Sequence, residues 1–138
     1  MAATDEVREL VLAFYESFNQ GNASIWDQNL ADDVMGIGSD PDEWWEGPAV
    51  VVKVGTAQVQ QMHAAGISIA TAGPKVFAEG DVAWAVDQPT VSLKDGTSVP
   101  MRFTLIASRS GGKLQIRHFH LSAGATNEEV LGEELPTS

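Results

Sequence analysis

The period of the hydrophobic positions changes once along this chain, near residue 67. Before that point, Val7, Leu10, Val11, Phe14 and Phe18 fall at offsets of 3, 4, 7 and 11, one apolar stripe on an α-helix. Thr4 is the expected N-cap, Asp5 and Glu6 face the positive end of the helix dipole, and Gly21 supplies a left-handed residue to end it. Ser24 is expected to cap a short second helix carrying Ile25, Trp26 and Leu30 and ending near Asp32-Asp33. Gly36–Gly47 is turn-rich and then aromatic at Trp44-Trp45, which reads as a short strand, a loop and the approach to a further element. Pro48 suits the first position of a helix. Beyond it the signals conflict, because Val50–Val54 has strand propensity while Gln58–Ala65 is helical in character.

From Ile67 onward, apolar and polar residues alternate. Four strand-like runs follow: Ile67–Ala78 with a break at Gly73-Pro74, Val82–Leu93, Val99–Arg109 and Leu114–Ser122. The turns between the later runs are Glu79-Gly80-Asp81, Lys94-Asp95-Gly96 and Ser110-Gly111-Gly112, the punctuation of an antiparallel meander. Helices followed by such a meander predict an α+β domain with helices on one face of a curved, mostly antiparallel sheet. Its expected extent is residues 1–124. Residues 125–138, with four glutamates around Val130, Leu131 and Leu135, form an acidic tail or a last helical turn.

The two closing runs carry chemistry on both faces. Strict alternation places Met101, Phe103, Leu105, Arg117, Phe119 and Leu121 on one side, and Thr104, Ile106, Ile116, His118 and His120 on the other. Neither face is purely polar, so the second is expected to be covered as well, most economically in a homodimer. His118 and His120 share a face, as two metal ligands would, but the facing positions offer Thr104 and Ile106 rather than a third ligand. No metal is expected there.

Composition narrows the function classes. Lys and Arg number 8 against 19 Asp and Glu, and the net charge of −11 argues against nucleic acid or an anionic membrane as partner. The absence of cysteine excludes disulfides, thiolate metal sites and cysteine nucleophiles. With no apolar run long enough to span a bilayer and an acidic start, a cytoplasmic protein is expected. The charges are unevenly placed: residues 1–46 hold eleven acidic side chains and only Arg8, whereas 94–117 hold Lys94, Arg102, Arg109, Lys113 and Arg117 against Asp95. That asymmetry predicts self-complementarity, within one chain or across a dimer.

Several words of the sequence, in this order, resemble the nuclear transport factor 2-like, or SnoaL-like, superfamily. Phe18-Asn19-Gln20-Gly21-Asn22 is similar to the turn after its first helix, and Leu30-Ala31-Asp32-Asp33-Val34 to its step into the first strand. Trp45-Glu46-Gly47 resembles the start of its third helix, which favours a helix from Pro48 to about Ala65 over a valine-rich strand. Gly112–Ser122 resembles the last strand of such domains, with wording closest to the association domain of calcium/calmodulin-dependent protein kinase II. The resemblance covers Asp5 to Gly124. It implies a cone-shaped α+β barrel of three N-terminal helices on a curved sheet, commonly dimeric, with a pocket between helices and sheet.

The superfamily hosts isomerases, cyclases, dehydratases, epoxide hydrolases and association modules, so the residues must decide. Against ketosteroid isomerase, the helix-one tyrosine position falls on Phe14, the base near Gly38 with Asp40 two residues on, and the neutral acid near Thr104. Asp40 and Asp87 are the candidate acid–base groups of a cofactor-independent isomerase, cyclase or hydrolase acting on a small carbonyl or cyclic substrate. The expected pocket wall is Trp84, Gln88, Phe103, Leu105, Arg117, Phe119 and Leu121. Arg117 is its one cation, suited to a carboxylate or keto oxygen on a small apolar molecule. The association-domain pocket has arginines where Gln88, Leu105 and Leu121 stand here, a departure that removes most anion-binding chemistry. The expected reading is a small-molecule binder without a cofactor; an association module with a vestigial pocket is its rival.

Overall fold

Helix α1 runs Ala3–Gln20 in the computed structural model, which describes residues 2–138. Its N-cap is Ala2, not Thr4, because the Glu6 N–H already closes onto the Ala2 carbonyl at 3.0 Å. Gly21 ends it at φ +68°, as its position predicts. Val7, Val11, Phe14 and Phe18 are buried together with Tyr15, so the apolar face is wider than the stripe alone.

Helix α2 is only Ile25–Gln28. The expected helical residues beyond it belong instead to β1, Leu30–Ile37. Pairing decides this: β1 lies parallel to the last strand, Leu30 opposite Ile116, and the Ile116 N–H reaches the Asn29 carbonyl at 2.6 Å. Strand β2, Trp44–Glu46, returns antiparallel to β1, and Gly47 then delivers Pro48 to the first position of α3, Pro48–Ala64. The valine-rich stretch is therefore helical. Val51 and Val59 are buried against the core, and that burial outweighs the modest helix propensity of β-branched residues.

The remaining strands are β3 (Ser68–Ala70), β4 (Lys75–Glu79), β5 (Val82–Asp87), β6 (Thr90–Ser92), β7 (Ser98–Arg109) and β8 (Leu114–Ala123). Two of the expected runs are each split, at Gly73-Pro74 and at Gln88-Pro89. The main order is β2-β1-β8-β7-β5-β4, with β6 joining β7 and β3 joining β6. Only β1 and β8 pair in parallel. On the edge away from β8, strand β7 serves two neighbours: residues 98–100 pair with β6 and 103–108 with β5. The result is a curved, unclosed sheet with the helices on its concave face. Phe14 sits at the junction, its ring 4.7 Å from Phe103 and 5.3 Å from both Trp26 and Phe119.

Between β7 and β8, strict alternation fails at one residue. Ile106 of β7 faces His118, but Ala107 faces Ile116, so Arg117 is an extra residue bulged out of β8. Phe119 is buried with Leu121 half-buried on one side of the bulge, and Ile116 and Leu114 are buried on the other. Arg117 and His118 consequently both point away from the core. The expectation that Arg117 faces inward and Ile116 outward is corrected on both counts.

The last element is a short helix α4, Asn127–Leu131, capped by Thr126, whose hydroxyl accepts from the Glu129 N–H at 3.1 Å. No helix is long and apolar enough to cross a membrane among the described residues.

Candidate functional site

A cavity of about 510 Å³ lies between the three helices and the concave face of the sheet. Phe14 and Phe18 of α1, Trp26 of α2, Trp45 of β2 and Phe119 of β8 supply its aromatic wall. Val51 and Met62 of α3 close one side; Val91, Leu93, Val99, Met101 and Leu121 of the sheet close the other. Its polar side chains are few: Ser39 and Glu43 from the β1–β2 loop, and Gln58 and Gln61 from α3. Among the described residues, no Lys, Arg or His lines it.

The loop carrying Glu43 is built by its own sequence. The Gly38 N–H bonds the Glu43 carbonyl at 2.9 Å, and the Glu43 N–H bonds the Asp40 carbonyl at 2.9 Å. Asp40 is a turn former here, its carboxylate accepting from the Asp42 N–H at 2.8 Å. The Glu43 carboxylate is held at both oxygens: Oε1 accepts from the Asp40 N–H at 2.8 Å, and Oε2 from Gln58 Nε2 at 2.5 Å. A Cβ at Gly38 would come within 2.7 Å of that carboxylate, so the glycine makes room for it. Gly55 does the same for Trp26, whose indole would lie 2.8 Å from a Cβ there. Trp26 is 2% exposed, and its indole N–H is a buried donor without a partner.

Of the expected wall, Phe119 and Leu121 line the cavity, and Phe103 and Leu105 are buried core. Trp84, Gln88 and Arg117 do not line it. Trp84 stacks on Phe77, their centroids 5.6 Å apart; it alternates with buried Ala83 and Ala85 and so stands on the convex side. Gln88 is exposed where β5 gives way to β6. Arg117 donates from Nη1 to both Asp33 carboxylate oxygens at 2.8 Å and from Nε to Ser108. Of the two expected acid–base groups, Asp40 is exposed in its turn. Asp87 is 8% exposed and accepts from Tyr15 and Thr71 hydroxyls at 2.8 and 2.7 Å and from the Ala72 and Gln88 N–H groups. Neither lines the cavity. The missed residue is Glu43. The Asp-Pro-Asp turn was its signal, because a turn that tight brings the next carboxylate back over Gly38.

On the convex face, Thr104, Ile106 and His118 are half-buried and His120 is exposed. One ring nitrogen of His118 lies 2.9 Å from the Met35 carbonyl. A single row of register partners crosses the sheet there: Phe77, Trp84, Ile106, His118 and Met35. Two ion pairs join the acidic and basic segments within one chain, Asp33 with Arg117 and Glu6 with Arg109, each at 2.8 Å. The Arg109 guanidinium holds the Glu6 carboxyl below its ordinary range, helped by the Leu114 N–H.

A family model described as "SnoaL-like domain" matches residues 7–126. Among solved structures, the chain is similar to a nuclear transport factor 2-like protein of unknown function from Pseudomonas putida, at 22% identity and a TM-score of 0.80, covering 99% of this chain and 95% of that one. It is similar to a proposed ketosteroid isomerase from Shewanella frigidimarina, at 17% identity and a TM-score of 0.69, covering 83% and 92%. A proposed dehydratase of the nuclear transport factor 2-like family from Streptomyces avermitilis shares 14% identity with a TM-score of 0.72, covering 89% and 96%. No curated protein matches the chain. At these identities the likeness is one of fold.

Proposed function

The chain belongs to the family of SnoaL-like domains, and from that premise we propose that it binds a small, mostly apolar molecule in the cavity beneath α1 and α3. The observation that carries this reading is the lining itself. An aromatic and aliphatic wall with a few convergent polar groups is the ordinary constitution of a ligand site. An association module with a vestigial pocket has no need of such a space, and a cavity of about 510 Å³ favours the ligand.

Glu43 supports a second reading, a cofactor-independent isomerase, cyclase or dehydratase. It is a carboxylate fixed beside an apolar cavity, as general acid–base work requires, and it takes the role first given to Asp40 or Asp87. The proposed isomerase and dehydratase that share this fold are in keeping with it.

The chain is further proposed to dimerise through the convex face, where Trp84, Ile106 and His118 adjoin exposed Phe77, Val82 and Val86. The acidic, cysteine-free chain suits the cytoplasm.

Native mass spectrometry of freshly purified protein tests the binding reading. The expected result is a small co-purifying mass, or uptake of an added naphthalene probe, that is lost when Leu121→Trp fills the cavity. Wild-type protein that carries nothing and takes up no such probe overturns it.

A further inference from the structure

Resting on that binding reading, we infer that the cavity selects an apolar molecule bearing one protonated amine, with Glu43 as the receptor of the amine, and rejects the matching carboxylate. Glu43 is the one ionisable side chain among the lining residues described, and no cation accompanies it. Its two oxygens each accept one fixed hydrogen bond, from the Asp40 N–H and from Gln58 Nε2. A carboxylate offers about four acceptor sites, so each oxygen keeps one for a ligand while its position is already set. With Gln58 Nε2 committed to Glu43, the Gln58 carbonyl oxygen remains as an acceptor, as do the Ser39 hydroxyl and the Gln61 amide oxygen. A protonated amine has three donors and no acceptor, which matches this set.

The surroundings have the same sign. Asp40 and Asp42 stand on the same loop as Glu43, and the chain carries a net charge of −11. Nearby cations are not turned toward the site. Lys53 is an exposed side chain of α3 outside the lining, and Lys94 lays its stem along Gly66, also outside it. Arg117, which was to receive an anionic head group, lies on the opposite face of the sheet with Asp33. An anion in this cavity would therefore face Glu43 uncompensated, in a setting where apolar walls strengthen the repulsion. The rings of Trp26, Trp45 and Phe119 add faces that attract a cation.

The test compares probes with one ring system: 1-naphthylmethylammonium, 1-methylnaphthalene and 1-naphthoate, titrated at neutral pH with binding read by ligand-observed NMR. The amine is expected to bind about tenfold or more tightly than the hydrocarbon, and naphthoate more weakly than either. Glu43→Gln should bring the amine to the level of the hydrocarbon. Asp42→Asn, which removes a neighbouring charge outside the lining, should leave the preference in place, and Leu121→Trp should abolish binding of all three. Equal binding of amine and naphthoate overturns the inference while leaving the pocket standing, as does an amine advantage that survives Glu43→Gln. Failure of all three probes to bind wild-type protein removes both the inference and the binding reading beneath it.

Discussion

The Tyr15 hydroxyl donates to the Asp87 carboxylate at 2.8 Å, tying helix α1 to the end of β5 across 72 residues. The Thr71 hydroxyl donates to the same oxygen at 2.7 Å, so one buried carboxylate joins the first helix, the β3–β4 connection and β5. Removing the phenol oxygen leaves that largely buried carboxylate short of a donor. Tyr15→Phe is expected to cost about 1–3 kcal/mol, measured as a lower urea midpoint at unchanged slope.

Tyr15 is also the chain's only tyrosine, so its ionisation can be followed without interference. Burial first, and then the bond and the negative charge of Asp87, push the phenol far above its ordinary value of 10.0. Above about pH 10 the unfolded chain loses this proton while the folded chain keeps it. Stability therefore falls as pH rises through that range. Absorbance at alkaline pH should show no tyrosinate until the protein unfolds, and Tyr15→Phe should have a flatter profile of urea midpoint against pH above about 10.

Arg117 and Asp33 form an ion pair whose side chains are 42% and 70% exposed. A pair that exposed contributes little, so Arg117→Ala is expected to change stability by less than about 1 kcal/mol. It should also leave the affinity for 1-methylnaphthalene unaltered. A large loss of affinity in that variant would return the arginine to the cavity.

Gly55 lies within α3, where alanine normally stabilises a helix by about 1 kcal/mol. Here the added methyl meets the Trp26 indole at 2.8 Å. Gly55→Ala is expected to reverse the usual sign and destabilise by about 1–3 kcal/mol, with a shift in tryptophan emission reporting the displaced ring.

Ile106 stands in the convex row between Trp84 and His118. If that row is covered by a second copy, Ile106→Glu buries an unpaired charge in the interface and should yield monomers in light scattering. An unchanged mass would count against the dimer.

Much of the scaffold was legible because its signals are local. Gly21, Gly80 and Gly96 mark their turns by a positive φ, whereas the local signals behind Pro48 conflict and the helix there was favoured by the resemblance of Trp45-Glu46-Gly47. What escaped depends on distant pairing. Leu30–Asp33 became strand because β8, more than eighty residues later, offered a partner. Glu43 had a local signal in its Asp-Pro-Asp turn, but its fixed position also needs α3 to bring Gln58 to it. The bulge, too, had left a trace. Apolar residues of β8 occupy even positions at Leu114 and Ile116 and odd positions at Phe119 and Leu121, a phase slip centred on Arg117. Assuming unbroken alternation across that slip put the arginine on the wrong side.

The inserted residue also makes the inner lining depend on backbone register as much as on side-chain identity. Drawing Arg117 into regular pairing, with the rest of β8 held in register to β1, would rotate the segment before it by half a pleat, sending Ile116 and Leu114 outward. Holding that earlier segment instead would turn His118 and His120 under the helices and expel Phe119 and Leu121. One bulge thus separates an oily wall from a pair of imidazoles on the same sequence, whereas excising Arg117 altogether would keep Ile106 opposite His118 and Ala107 opposite Ile116 and leave that wall intact.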